Sequence, residues 1–188
     1  MDYSVSLAAG SRRSVWPLLG WTYLFTVLGF PLHEAGHALI YLLKGIDFTM
    51  TINRVIPDTM IVAGELAGPV VTLLAGWFGI WLLMSGKLDA TAAYGLVLGQ
   101  LLTRPPLHIA MLFFGLGGND ETLAANLLGV HQAVVILPAF ALFVGSLVFA
   151  IRHMRSRGVP YWYVGPAFAA AVAAILTVLY LEILLFDI

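Results

Sequence analysis

The sequence predicts an all-α polytopic membrane protein with about five transmembrane helices and a short strand or β-hairpin between the first and the second. Of the 188 residues, 61% are hydrophobic and only 10% are charged, whereas a soluble domain carries about 25% charged residues. Several apolar runs are long enough to cross a hydrocarbon core of about 30 Å. We therefore expect lipid to surround most of the chain, and residues 1–188 to form a single integral-membrane domain.

The net charge and the cysteine count exclude several classes of function. The net charge is −1, which argues against a nucleic-acid partner. The chain has no cysteine, so disulfides, thiolate zinc sites and cysteine nucleophiles are all excluded. Any bound metal must therefore be held by histidine, aspartate or glutamate.

Five apolar segments define the predicted membrane helices. They cover about residues 15–43, 68–84, 91–116, 132–151 and 163–186. Pro31 predicts a break or kink in the first segment, because proline removes a backbone donor and clashes with the preceding turn. Gly68-Pro69 opens the second segment, and Arg104-Pro105-Pro106 interrupts the third. The chain shows no internal repeat, which argues against a tandem array.

The connecting segments carry their own signals. Residues 48–53 alternate apolar and polar side chains, which predicts a short strand or hairpin at or just under the membrane surface. The stretch GGND at 117–120 is a breaker, and a short helix is predicted from Glu121 to Gly129. Arg152 to Gly158 is predicted to be a basic loop. Glu182, near the end of the last segment, is expected to reach water.

The first apolar segment contains HEAGH, with His33, Glu34 and His37. On a helix, successive residues turn by about 100°, so His37 lies about 40° from His33 and both imidazoles can reach one cation. Two histidines, a third ligand and a water complete the tetrahedron of a zinc ion, which lowers the pKa of the water to about 7. Glu34 is placed to take the proton and later to give it to the leaving amine. Because ionisable groups in lipid are costly, they usually mark a site.

This segment, FPLHEAGHALIYLLKG, resembles the zinc-binding helix of the site-2 protease family of intramembrane metalloproteases. That family usually has glycine at the fourth position of HExxH, as Gly36 is here, and the zinc helix would cover about residues 31–43. ELAGPVVTLLAG resembles a second family feature, a Gly-Pro helix over about residues 68–84, with Gly68 and Pro69 matching. Thr72 stands where the family usually has asparagine. The resemblance covers roughly the first 80 residues.

The family takes its third protein ligand from an aspartate in a later segment, usually within Pro-Leu-Asp-Gly. That motif is absent from this chain. Within the third-ligand region, about residues 117–129, Asp120 is the best candidate, because it follows a breaker and lies beyond the third apolar segment. Asp120 could also cap the following helix. Glu121, His108 and His131 are the other candidates for the third ligand.

Arg104 and His108 lie four residues apart inside the third segment, so they share one face if the helix continues through the prolines. Either side chain could stabilise the oxyanion that forms when water attacks a peptide carbonyl. Alternatively, Arg104 caps the carbonyls that the proline break leaves free.

The resemblance implies a zinc-dependent endopeptidase that cleaves transmembrane segments of other membrane proteins. The chain carries no obvious PDZ-like domain, so a minimal, divergent family member is expected. Its partners would be the lipid bilayer and a substrate helix, and its location the cell membrane of a prokaryote. Two histidines and a carboxylate favour Zn²⁺ over hard cations. The alternatives are a non-catalytic metal-binding pseudoprotease and a small membrane transporter or scaffold.

Overall fold

The computed structural model describes residues 14–115 and 117–186, and it is mostly helical. Seven α-helices are present in this part of the chain: α1 (Trp16–Leu43), α2 (Val62–Ser85), α3 (Ala90–Leu101), α4 (Arg104–Phe114), α5 (Asp120–Leu128), α6 (Ala133–Ser156) and α7 (Val164–Phe186). A single 3₁₀ turn, Tyr161–Tyr163, precedes α7. Two short strands, β1 (Phe48–Met50) and β2 (Val55–Pro57), lie between α1 and α2.

The helices fit a multi-pass membrane protein. Four helical segments in the described chain are long and apolar enough to cross a membrane, namely Val62–Ser85, Ala90–Phe114, Ala133–Ser156 and Tyr161–Phe186. The second of these comprises α3 and α4 together. Although α1 has 28 residues, it is not among the four, since polar side chains such as His33 and Glu34 lie within it. The predicted count of about five is therefore not confirmed.

The predicted hairpin is confirmed. Strands β1 and β2 pair antiparallel, with Phe48 opposite Pro57 and Met50 opposite Val55. The alternation of apolar and polar residues is typical of such a strand pair. The hairpin contacts α1, and it is therefore held beside the helix that carries HEAGH.

The prolines act differently in the first three apolar segments. Helix α1 continues through Pro31 without interruption, so the break predicted there is absent. Helix α2 begins at Val62, well before Gly68-Pro69, so the prediction that these residues open the helix was wrong. Glu65 in the first turn of α2 favours the earlier start, because a negative charge stabilises a helix N-terminus. The third segment does break, since α3 ends at Leu101 and α4 begins at Arg104, with proline in the first turn where it is tolerated.

The ends of α5 and α6 also differ from the prediction. Asn119 caps α5, because its side chain accepts a hydrogen bond from the Thr122 N–H, and Thr122 in turn accepts from the Asn119 N–H. Asp120 is therefore the first helical residue and not the cap. Helix α6 continues to Ser156, so most of the predicted basic loop from Arg152 is helical.

Helix α1 is the centre of the fold and packs against α2, α3 and α7. Its contact with α2 is close because Gly36 lacks a side chain. A Cβ atom there would lie 2.9 Å from the Ala67 carbonyl oxygen and 2.8 Å from a Val71 methyl group. Small residues allow such approaches between helices in membranes. The HEAGH turn of α1 therefore packs directly against the Gly-Pro stretch of α2.

Candidate metal centre

Three ligand-type side chains meet between α1 and the start of α5. His33 Nε2 lies 3.1 Å from His37 Nε2. Asp120 Oδ2 lies 2.9 Å from His33 Nε2 and 3.6 Å from His37 Nε2. Within residues 14–115 and 117–186, this is the only group of three or more histidine, cysteine or acidic residues whose ligand atoms lie within 4.8 Å of one another. The structure thus brings together the two predicted histidines and the predicted third ligand.

Hydrogen bonds from α2 fix the outer nitrogen of each imidazole. His37 Nδ1 lies 2.7 Å from the Gly64 carbonyl oxygen, and His33 Nδ1 lies 2.8 Å from Thr72 Oγ1. A carbonyl oxygen can only accept, so Nδ1 of His37 donates and the Nε2 lone pair of the neutral ring points to the centre. Metal-binding histidines almost always make such outer hydrogen bonds. Thr72 therefore has a polar role at the site, at the position where the site-2 protease family usually has asparagine.

Gly68 lets the two imidazoles pack directly against the backbone of α2. A Cβ atom at this position would lie 2.2 Å from His37 Nε2 and 2.5 Å from His33 Nε2. Both distances are far shorter than any real contact of a Cβ atom. A side chain at position 68 would therefore clash with both ring nitrogens and displace them.

Asp120 contributes an ionised carboxylate. Burial alone would raise the pKa of the Asp120 carboxyl, but its hydrogen bond with His33 and the nearby imidazole of His37 outweigh burial and hold the pKa well below its usual range. The Asn119 cap fixes the backbone immediately before it. Asp120 therefore presents a negatively charged oxygen to the two histidines at neutral pH.

Glu34 is buried and lines the same cavity as the two histidines. The backbone of Val55, in β2, interacts with its carboxylate. The hairpin thus contacts the predicted base.

Arg104 reaches the centre from α4. Its Nη2 lies 2.7 Å from His33 Nδ1 and 3.4 Å from His33 Nε2. A guanidinium only donates, so this contact requires a lone pair on Nδ1, whereas a ring that binds a cation through Nε2 carries its proton on Nδ1. The Arg104 contact and cation binding by His33 therefore demand different tautomers. Thr72, whose hydroxyl can donate or accept, is compatible with both.

The other candidates for the third ligand lie elsewhere. His108 Nε2 pairs with Glu121 Oε1 at 3.0 Å, and both side chains are fully buried. His131 is exposed, and its Nδ1 accepts a hydrogen bond from the Ala133 N–H. Neither His108 nor Glu121 lines the cavity, so the predicted role of His108 in stabilising an oxyanion lacks a geometric basis.

The metal centre opens into a cavity of about 890 Å³. One wall is an apolar stripe on α7, at spacings of four, three and four residues: Phe168, Val172, Ile175 and Leu179. Residues of β2 and of the hairpin turn also line the cavity. The volume of the cavity lies within the usual range of small-molecule and cofactor pockets, about 300–1,000 Å³.

Two buried carboxylates of this region were missed by sequence reasoning. Glu65 accepts a hydrogen bond from the Tyr41 hydroxyl, and both side chains line the cavity. Glu182 is buried rather than in water, and it accepts hydrogen bonds from Thr51 Oγ1 and, at 3.1 Å, from the Ile52 N–H. Glu182 lies inside a predicted apolar segment, where the rarity of acidic residues was the signal that could have marked it; Glu65 lies outside those segments and carried no such signal.

Comparison with protein-family models, curated proteins and solved structures found no match. The resemblance to the site-2 protease family therefore rests on the residues of α1 and α2.

Proposed function

We propose that this chain is an intramembrane zinc-dependent endopeptidase that hydrolyses peptide bonds in transmembrane segments of other membrane proteins. One observation carries the proposal: Asp120 meets both histidines of HEAGH, with Glu34 beside them in the same cavity. The resemblance of the first 80 residues to the site-2 protease family supports the same class of reaction.

The donor set and the space around it suit zinc. Two imidazoles and one carboxylate favour zinc over hard cations, which prefer oxygen ligands throughout. Three protein ligands leave the fourth tetrahedral position open, as in catalytic rather than structural zinc sites. His33, His37 and Asp120 all line the cavity of about 890 Å³, which leaves space for a fourth ligand. When bound, the ion supplies a Lewis acid for the peptide carbonyl and acidifies a water.

Glu34 is the general base in this proposal. It accepts a proton from the attacking water and passes it to the leaving amine nitrogen. Its position directly after His33 in α1 keeps the carboxylate beside the ligands, and the Val55 backbone limits its movement.

Arg104 supplies hydrogen-bond donors for the substrate carbonyl. The guanidinium lines the cavity beside His33. Negative charge develops on the carbonyl oxygen during attack by water, and a fixed cationic donor stabilises that charge. In this role Arg104 leaves His33 Nδ1, which then donates to Thr72.

The cavity favours an apolar polypeptide as substrate. Four apolar residues of α7 form one wall, while polar side chains of the metal centre and of the hairpin turn line other parts of the cavity. Peptide bonds of an intact helix are enclosed by its side chains, so the substrate must unwind locally to reach Glu34 and the ligands. Hydrophobic side chains of the unwound segment would then pack on the α7 stripe.

The contact of Arg104 with His33 favours a second candidate, a non-catalytic membrane protein. A permanent positive charge at 2.7 Å from a ligand ring opposes the binding of a cation there. In this alternative the buried polar cluster stabilises a fixed arrangement of α1, α4 and α5, and no peptide is cleaved.

One experiment decides between the zinc endopeptidase and the non-catalytic membrane protein. It compares Glu34→Gln and His33→Ala with the parental protein, each purified and reconstituted into liposomes. Peptide cleavage is measured on a panel of fluorogenic transmembrane peptides, and zinc content by elemental analysis. We expect Glu34→Gln to keep about one zinc per chain and to lose cleavage, because only the proton acceptor is removed. We expect His33→Ala to lose both zinc and cleavage.

Asp89→Asn is the matched control, since Asp89 caps α3 away from the centre and the substitution also neutralises one carboxylate. It should keep zinc and cleavage. Cleavage by Glu34→Gln at the parental rate would remove Glu34 from the mechanism. A parental protein that neither binds zinc nor cleaves any peptide of the panel would favour the non-catalytic alternative.

A further inference from the structure

A second buried pair of ionisable side chains lies beside the metal centre and has no part in the proposed reaction. His108 Nε2 lies 3.0 Å from Glu121 Oε1, and both side chains have no exposed surface. Since a carboxylate only accepts, the proton of this hydrogen bond lies on His108. Neither residue lines the cavity, so neither is placed to touch a substrate.

The pair is a poor means of stabilising the fold. Within the described chain, His108 Nδ1 and Glu121 Oε2 are buried without a hydrogen-bond partner. Unsatisfied buried polar atoms destabilise a protein, and apolar side chains of similar volume often replace a buried ionic pair with no loss of stability. Unlike apolar contacts, a hydrogen bond has a preferred distance and a preferred angle. The pair can therefore fix the orientation of one helix relative to the other.

The pair joins the two helices that reach His33 from different sides. His108 lies one turn after Arg104 on α4, and Glu121 directly follows Asp120 on α5. Arg104 Nη2 lies 2.7 Å from His33 Nδ1, whereas Asp120 Oδ2 lies 2.9 Å from His33 Nε2. A closed ring of contacts therefore runs from His33 to α4, across the His108–Glu121 hydrogen bond to α5, and back to His33.

The backbone connection does not by itself fix the placement of α4 and α5; in the structure α4 packs on α6, and α5 packs on α2 and α6. Gly115 follows α4 with φ +63° and Gly118 precedes α5 with φ +85°, and glycine permits many backbone conformations. On α6, Phe140 and Phe143 pack edge-on against the His108 ring, with centroids at 6.3 and 5.5 Å. They hold the imidazole in the orientation that reaches Glu121.

We propose that His108 and Glu121 are positioning residues, whose hydrogen bond sets the relative placement of α4 and α5 and thereby holds both Arg104 and Asp120 at His33. The expected effect of this hydrogen bond on metal affinity rests on the proposed function. Its effect on the relative placement of α4 and α5 needs no metal.

The first test measures Co²⁺ affinity and the visible spectrum of bound Co²⁺ in full-length purified protein. The double variant His108→Leu with Glu121→Leu removes the hydrogen bond but keeps the site packed. We expect it to unfold at or above the parental temperature, yet to bind Co²⁺ about 10- to 100-fold more weakly, as for other losses of outer-shell support, and with an altered spectrum. Glu121→Gln, which keeps an acceptor for His108, should stay close to the parent.

Tyr94→Phe is the matched control, because it removes another buried hydrogen bond, the 2.8 Å contact between Tyr94 and His153, away from the centre. Its Co²⁺ affinity should be parental. Parental affinity and spectrum in the double leucine variant would overturn the inference. Should that variant fail to fold, Glu121→Gln is compared with His108→Asn, whose side chain is too short to reach Glu121. Equal affinities for these two would overturn it as well.

The second test is independent of metal. Because the chain has no cysteine, nitroxide labels can be attached at Phe113→Cys on α4 and Leu127→Cys on α5, both of which are exposed. We expect the distance distribution between the labels to broaden or shift in the double leucine variant and to remain parental with Tyr94→Phe. An unchanged distribution would overturn the inference. If the parent binds no Co²⁺, the proposed function fails, and the nitroxide distances alone decide this inference.

Discussion

Asp120 Oδ2 lies 2.9 Å from His33 Nε2, although 87 residues separate them along the chain. The contact joins the first residue of α5 to the HEAGH turn of α1. His33, His37 and Asp120 together form a donor set that suits a zinc ion. Substitutions of Asp120 and of three residues around the donor set, Gly68, Thr72 and Arg104, test whether it binds zinc.

Asp120→Asn should weaken zinc binding by more than the roughly 10- to 100-fold that outer-shell changes cost. Asparagine keeps the shape and the helical position of the side chain but removes the negative charge that the two histidines face. Competition with a chromophoric chelator measures the affinity. Asp89→Asn is the control, and parental zinc affinity in Asp120→Asn would exclude this residue as a ligand.

Gly68→Ala should abolish metal binding without unfolding α2. The added Cβ atom would lie 2.2 Å from His37 Nε2 and displace both imidazoles, whereas alanine is the better helix former by about 1 kcal/mol. Zinc content and the thermal unfolding temperature are measured together. Gly145→Ala in α6 is the matched control, since no atom lies within 4 Å of the Cβ position there. A Gly68→Ala protein with full zinc content would show that the packing of the imidazoles on Gly68 is not needed for metal binding.

Thr72→Val should lower zinc affinity about 10- to 100-fold, because valine keeps the volume but removes the hydroxyl that orients His33. Thr72→Ser keeps the hydroxyl and should retain most of the affinity. Thr177→Val, which removes the hydroxyl bound to Tyr23, controls for the loss of a threonine hydroxyl elsewhere. Equal affinities of the valine and serine variants at position 72 would contradict the role of the hydroxyl.

Arg104→Gln should affect zinc binding and cleavage in opposite directions. Removal of the positive charge beside His33 should tighten zinc binding about tenfold or more, which corresponds to ~1.4 kcal/mol. Cleavage at saturating zinc should fall, because the carbonyl oxygen loses its cationic donor. Zinc titration and turnover on the same preparation separate the two effects. Weaker zinc binding in Arg104→Gln would show that Arg104 supports the ligands instead of competing with the ion.

Sequence reasoning succeeded where the signal was local. The spacing of His33 and His37 places both rings on one face of a helix, and the alternation from Phe48 predicted the hairpin. Asp120 was selected by its position after a breaker, and the structure places it at the two histidines. The first two inferences required only a few neighbouring residues, whereas that of Asp120 also used the order of segments that the family resemblance implies.

The failures concern residues whose role depends on distant partners. Pro31 is tolerated inside α1, and α2 begins before Gly68-Pro69, since packing between helices overrides local preference. Arg104 was a candidate for the site, but its contact with His33 was not predicted, and neither was that of Thr72, because no local pattern relates residues 71 and 39 positions apart. Only the three-dimensional arrangement of α1, α2 and α4 makes these contacts visible.

The hydrogen bonds of Glu182 bear on the order in which the protein is assembled. They tie the hairpin turn to a residue about 130 positions later, and α7 also supplies the apolar wall of the cavity. A nascent chain that still lacks α7 has therefore neither the anchor of the hairpin nor a closed cavity. The polar residues of α1 are synthesised early, but they are enclosed only after α7 has been synthesised and has packed against the other helices.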